Sequence, residues 1–131
     1  SLQAYLRAHP EEQRRIFDFN PSTVFFEIRE RGPVGSTGAI VTAGRSIATD
    51  SKLFPPGALA LIVTTLPIVD EAGERLGERP LVRLVLNQDT GGAIQGPGRA
   101  DLFLGAGEAA ARVAGQLKDR GTLYFFSPLA P

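Results

Sequence analysis

Three aspartates stand where a carboxyl group can do chemistry. Asp50 closes the run GRSIATD, and Asp89 and Asp101 sit at either end of the glycine-rich stretch DTGGAIQGPGRAD. Each adjoins an expected strand end, unlike the acids of the polar segment DEAGERLGERP. A carboxyl held against apolar neighbours such as Leu102 and Phe103 is protonated more readily, because burial penalises its charged form. It then donates its proton to a leaving oxygen. The other reactive side chains are scarce. His9 is the single histidine, beside Pro10 at a helix junction, where a surface or capping role fits it better than catalysis. Ser36, Thr37, Ser46 and Ser51 therefore have no second histidine to activate them. The absence of cysteine excludes disulfides, thiolate nucleophiles and Cys-based zinc sites. No metal and no cofactor are expected.

The glycine-rich stretch fits two nucleotide-binding patterns poorly. A P-loop needs a Lys after its last glycine, and Gly96 is followed by Pro97. A dinucleotide fingerprint opens a helix, whereas ADLFL after it reads as a strand. Asp89-Thr90-Gly91 also matches the aspartic-peptidase triplet, in which two carboxylates from two chains share a proton. Against that reading, FLG at 103–105 follows too closely to be the family's later support segment, and Gly92 stands where Ala or a small polar residue belongs.

The elements that must position these groups are short. Residues 1–22 read as a helical lead-in, with Ser1 as cap of LQAYLRAH and Pro10 in the first turn of PEEQRRIF. Residues 23–131 then form a second region with strands expected at 23–29, 45–49, 59–65, 81–86, 100–104 and 122–126. PPG at 55–57 is a turn, Asp70–Pro80 a solvated hairpin tip, and Glu108–Leu117 the one helix among the strands. Runs such as LALIVTT and LVRLVL are apolar on both faces, as in a closed barrel packed by helices. The expected fold is thus mainly β, a small six-stranded barrel or sandwich rather than a βαβ arrangement, with the apolar faces favouring the barrel.

At 131 residues the chain has the length of one domain. Its 14 basic and 14 acidic side chains cancel, so nothing draws it in bulk to nucleic acid or to an anionic membrane. The longest apolar run, ALALIV, is too short for a transmembrane segment. No Trp and two Tyr leave little for a stacking platform. With no methionine, Ser1 is not expected to be a translation start, so the chain reads as a processed or excised piece with any signal or lipid anchor upstream.

QDTGGAIQGPGRADLFLGAGEAAARVAG at 88–115 resembles the C-terminal signature of the membrane-bound lytic murein transglycosylase A family. GRSIATDSKLFPPGAL at 44–59 is similar to the family's Gly-Arg-Ser-Leu-Ala-Val-Asp segment and its Pro-Gly turn, and AYLRAHPEE and NPSTVFF resemble the segment leading into that domain. The resemblance implies a double-psi β-barrel domain named for three aspartates, here Asp50, Asp89 and Asp101. It implies cleavage of the β-1,4 bond between N-acetylmuramic acid and N-acetylglucosamine in peptidoglycan, with the sugar's own C6 hydroxyl closing a 1,6-anhydro ring. Asp101, in the Arg-x-Asp-hydrophobic-Phe position, takes the catalytic role; Asp89 and Asp50 are supporting groups. Thr90, Gly91, Gly92, Ala93, Gln95 and Arg99 become the substrate-binding residues, the glycines bringing backbone amides close to the glycan. Leu104 stands where the family usually has an aromatic residue.

The implied partners are peptidoglycan glycan strands, together with an earlier barrel portion and an inserted domain of the same protein, both outside this chain. The implied location is the periplasmic side of the bacterial outer membrane. A peptidoglycan-binding wall module without catalysis is the alternative. The two differ at Asp101, which as an acid must lie in a concavity, partly screened yet reachable.

Overall fold

The computed structural model describes residues 2–127. The chain divides into two compact units, Ser1–Glu30 and Arg31–Pro131.

In the first unit, LQAYLRA forms α1 (Leu2–Ala8). Pro10 opens a 3₁₀ turn (Pro10–Glu12), where its missing N–H costs nothing, and α2 (Gln13–Phe17) follows. The expected cap at Ser1 lies outside the described residues. His9 is a surface group: its ring lies 4.4 Å from that of Tyr5, and its Nδ1 lies 3.3 Å from Glu11 Oε1. The strand expected at 23–29 does not form. Its backbone is irregular, and Phe26 and Ile28 are 94% and 99% exposed. TVFFEIR has the β-branched and aromatic residues of a strand, but that preference is realised only against a neighbour, and none is hydrogen-bonded to it among the described residues.

The second unit holds β1 (Ser46–Ala48), β2 (Leu59–Val69), β3 (Arg75–Asp89), β4 (Asp101–Leu102), α3 (Glu108–Gln116) and β5 (Thr122–Phe125). They make one mixed sheet in the order β4-β1-β3-β2-β5. The fold is mainly β as expected, but among the described residues it has five strands rather than six and its sheet is open, with β4 and β5 at the edges. The β2–β3 hairpin is also longer than expected: its ladder runs on to Val69 and Arg75, leaving only Asp70–Glu74 as the tip. There the Glu74 amide donates to Asp70 Oδ1 at 2.8 Å, and Gly73 takes a φ of +85°. An Asp at the start and a Gly in the left-handed region are what such a turn requires.

Alternation along the hairpin sorts its two faces. Ala60, Ile62, Leu81 and Val85 point to one side and form the core with Ile47 and Leu66. Leu102, Leu117, Leu123 and Phe125 pack around them, and α3 lies against β2. Each large side chain so buried contributes about 1.5–3 kcal/mol by leaving water. Leu59, Val63, Val82, Leu84 and Leu86 point the other way and are exposed.

Candidate functional site

The sheet brings the three aspartates to one end of one strand. In β1, Ala48 pairs with Asp89 of β3 on one side and with Asp101 of β4 on the other, and Asp50 follows two residues later. A bulge between Ile47 and Ala48 sets this register, re-aiming the strand end as bulges do. Beneath it lies a buried polar layer. Thr49 Oγ1 donates to Asn87 Oδ1 at 2.9 Å, Asn87 Nδ2 donates to the Pro55 carbonyl at 3.0 Å, and Ser46 Oγ donates to Gln88 Oε1. These satisfied groups fix where β1 and β3 end.

The carboxylates are not in contact with one another; each holds something different. Asp50 accepts the Gly96 amide at 2.7 Å and the Lys52 amide at 2.9 Å. Those two bonds, Gly96 first, hold its carboxyl below the usual carboxylate range. Asp89 Oδ1 accepts the amides of Ser36 and Thr90, both at 2.9 Å, tying the 35–38 loop to the end of β3. Asp101 is different, because its partner is a side chain. Its Oδ1 and Oδ2 accept Arg99 Nε and Nη2 at 3.0 and 3.1 Å, while Arg99 Nη1 donates to the Ala93 carbonyl at 3.0 Å. The carboxylate beside it raises the Arg99 pKa. The apolar surroundings expected for Asp101 are therefore replaced by a guanidinium, since β4 is an edge strand and only its inward residue, Leu102, reaches the core.

Asp101 lies on the wall of an open groove of about 1080 Å³. Pro97–Leu102 contributes part of the lining, with Phe54, Ile62 and Thr64, and residues 117–123 contribute another part. The Asp101 side chain is 48% exposed, neither free in solvent nor buried under its ion pair. Both of its oxygens accept from Arg99 there. Of the other residues marked from the sequence, Arg99 joins the groove wall, whereas Thr90, Gly91, Gly92, Ala93 and Gln95 stand apart from it. They build the loop instead. Thr90 Oγ1 donates to the Thr49 carbonyl at 2.9 Å, Gln95 Nε2 to the Gly92 carbonyl at 2.8 Å, and the Ile94 amide to the Gly91 carbonyl at 2.8 Å. The Gly96 amide is engaged by Asp50 and so is not offered to a ligand.

Sequence reasoning missed the Lys118-Asp119-Arg120 stretch of the wall. Its signal is three consecutive charges in a short turn between a helix and a strand that both pack on the core. Asp119 is paired with Arg75 at 2.5 Å and its side chain is 9% exposed. That bond, followed by others that include Thr65, holds its carboxyl below the usual range.

Known proteins resemble the chain along nearly its whole length. The sequence pattern of the 3D domain family matches residues 45–127. The membrane-bound lytic murein transglycosylase A of Escherichia coli K12 is 35% identical over 126 residues, covering 95% of this chain and 33% of its own. The chain thus spans about a third of the length of that relative. The crystal structure of MltA from Neisseria gonorrhoeae superposes with a TM-score of 0.75 at 32% identity, covering 95% of this chain and 30% of that one. Escherichia coli MltA with bound chitohexaose gives a TM-score of 0.70 at 27% identity, covering 95% and 37%.

Proposed function

Since the chain belongs to the 3D domain family, we propose that it is the acid-bearing part of a lytic transglycosylase that cleaves the bond between N-acetylmuramic acid and N-acetylglucosamine in peptidoglycan. The observation that carries this reading is Asp101, a half-exposed carboxyl on the wall of a groove at the end of β4. The names of the relatives support the reaction class, and the chitohexaose held by one of them supports a glycan in the groove.

The reaction needs one carboxyl. Asp101 reacts as the protonated acid, its second oxygen still accepting from Arg99; an exposed ion pair of this kind is weak enough to give up one of its two hydrogen bonds. It donates that proton to the glycosidic oxygen as the bond from C1 to that oxygen breaks. The muramyl C6 hydroxyl adds to C1, and its proton passes to the Asp101 carboxylate, which restores the acid. Nothing is consumed besides the glycan, and one product ends in a 1,6-anhydro ring. A hydrolase needs a second carboxylate to activate water or attack the sugar. Here the nucleophile is part of the substrate and gains the advantage of proximity. Asp50 and Asp89 act as supports that immobilise the loops on both sides of the acid. Thr90, Gly91, Gly92, Ala93 and Gln95 shape the loop that leads to the groove wall, where Arg99 contacts the glycan.

The sheet closes into a six-stranded double-psi barrel when further segments of the parent protein cover its apolar face and edges. An inserted domain completes the groove opposite Asp101. The parent protein acts on peptidoglycan strands from the periplasmic side of the outer membrane, a placement supported by the membrane-bound relative. Among the described residues no helix is long and apolar enough to cross a membrane.

A second reading, a wall-binding module without catalysis, is favoured by the Arg99–Asp101 pair, which leaves neither carboxylate oxygen unengaged. Digestion of purified peptidoglycan by the longest natural form, with products analysed by mass, separates the two. Fragments with 1,6-anhydromuramic ends are expected. Products with reducing ends would make water the nucleophile and bring Asp89 back as a second carboxylate. Intact glycan that is nonetheless bound would leave the binding module.

A further inference from the structure

We infer that Lys118 and Arg120 form a carboxylate-binding part of the groove wall, selecting glycan that carries acidic substituents over neutral glycan of the same length. This rests on the glycan reading above and adds to it the residues that read the substrate's charge. Both side chains are exposed and line the groove that holds Asp101. Neither forms an ion pair among the described residues, although the residue between them is an aspartate. Asp119 does not neutralise them because Arg75 has claimed it: Nη2 donates to Oδ1 at 2.5 Å and Nη1 to Oδ2 at 3.2 Å, while Thr65 Oγ1 donates to Oδ1 at 3.1 Å. In a chain of zero net charge, this leaves two cations on the wall of a concavity without a counter-ion among the described residues.

The turn that carries them is held at several points. Besides the Asp119 pairing, the Arg120 carbonyl accepts Thr64 Oγ1 at 3.0 Å. Gly121 packs so closely on β2 that a Cβ there would lie 2.6 Å from the Val63 carbonyl oxygen. Fixing the backbone in advance removes part of the ordering cost of binding, which separates these two cations from lysines and arginines on free loops. The groove wall therefore carries groups of different chemistry. Asp101 works on the glycosidic oxygen, and the ammonium and guanidinium attract a carboxylate on a neighbouring part of the strand, such as the lactyl group of a muramyl residue that carries no peptide stem.

The test is a binding comparison on the full-length protein. Its two probes are chitohexaose, which is neutral, and an alternating N-acetylglucosamine–N-acetylmuramic acid oligosaccharide of equal length with free lactyl carboxylates. The wild type is expected to favour the acidic glycan by about fivefold at low salt, since each exposed pair adds little, and to lose that preference as salt is raised. The doubly substituted Lys118→Gln, Arg120→Gln protein is expected to bind both probes alike, with a thermal midpoint equal to that of the wild type as evidence that the fold is intact. Equal affinities in the wild type, or a preference that survives the double substitution, would overturn the inference while leaving the glycan reading standing. Failure of the wild type to bind either probe would overturn both.

Discussion

A carboxyl group does what its partners permit, and the three aspartates have different partners. Asp50 is committed to two backbone amides, one of which, from Gly96, ties it to the 92–98 loop. Its folded pKa is lowered, so its contribution to stability is fully present above the unfolded value of about 3.9 and is lost as pH falls through the lower folded value. Asp119 is lowered in the same sense. Acid unfolding of the wild type is therefore expected to steepen below the ordinary aspartate range, and Asp50→Asn to flatten that limb when followed by circular dichroism. An unchanged limb would remove Asp50 from the support. Arg99 is the residue that aligns Asp101. Arg99→Gln is expected to leave the thermal midpoint unchanged, because the pair is exposed, and to lower kcat by about tenfold through looser placement of the acid. A change in midpoint with unaltered turnover would make the pair structural only.

At the scale of elements, the site depends on β1, three residues long, with Asp89 and Asp101 placed on its two flanks. That convergence was half legible. Asp50, Asp89 and Asp101 each read as strand-end acids because Gly, Pro and Asp punctuate apolar runs so clearly. The register that gathers them around Ala48 depends on a bulge and on a parallel pairing between β1 and β3, contacts distant in sequence that no local pattern encodes. The helix at 108–116 and the presence of a hairpin were legible for the same local reason, but not the hairpin's length, because the polar run 75–80 pairs in the ladder while its composition reads as a solvated tip. The 23–29 strand was misread because β-propensity measures fit to a neighbour, and TVFFEIR has none here. The Lys118–Arg120 wall was missed because a charged turn after a helix looks like any solvated surface. Its architecture makes a direct prediction. Gly121→Ala forces a Cβ against Val63 and Thr64 and is expected to cost about 1–3 kcal/mol in thermal unfolding, the usual cost of overpacking. A neutral result would mean that this turn is not held against β2.

For the whole molecule, the telling fact is a sheet that is apolar on both faces and covered on one. Leu59, Val63, Val82, Leu84 and Leu86 remain exposed on the hairpin, and Tyr124 is exposed on β5. Apolar surface of that kind marks an interaction face or an association hazard. The 131-residue chain on its own is expected to self-associate with rising concentration in sedimentation equilibrium, and Val82→Thr combined with Leu84→Thr to reduce that association. A wild-type chain that stays monomeric at all accessible concentrations would show that the face needs no cover, and with it the proposal of barrel closure by the rest of the parent protein would fall.

The central claim is that one carboxyl, Asp101, is both the acid and the base. The most direct measurement is peptidoglycan turnover by the longest natural form beside its Asp101→Asn variant, with chitohexaose binding measured on both. The account predicts a fall of at least about 100-fold in release of anhydromuramic products, the usual scale for a lost acid–base group, with glycan binding retained. Turnover that persists in the variant at comparable rate would contradict it.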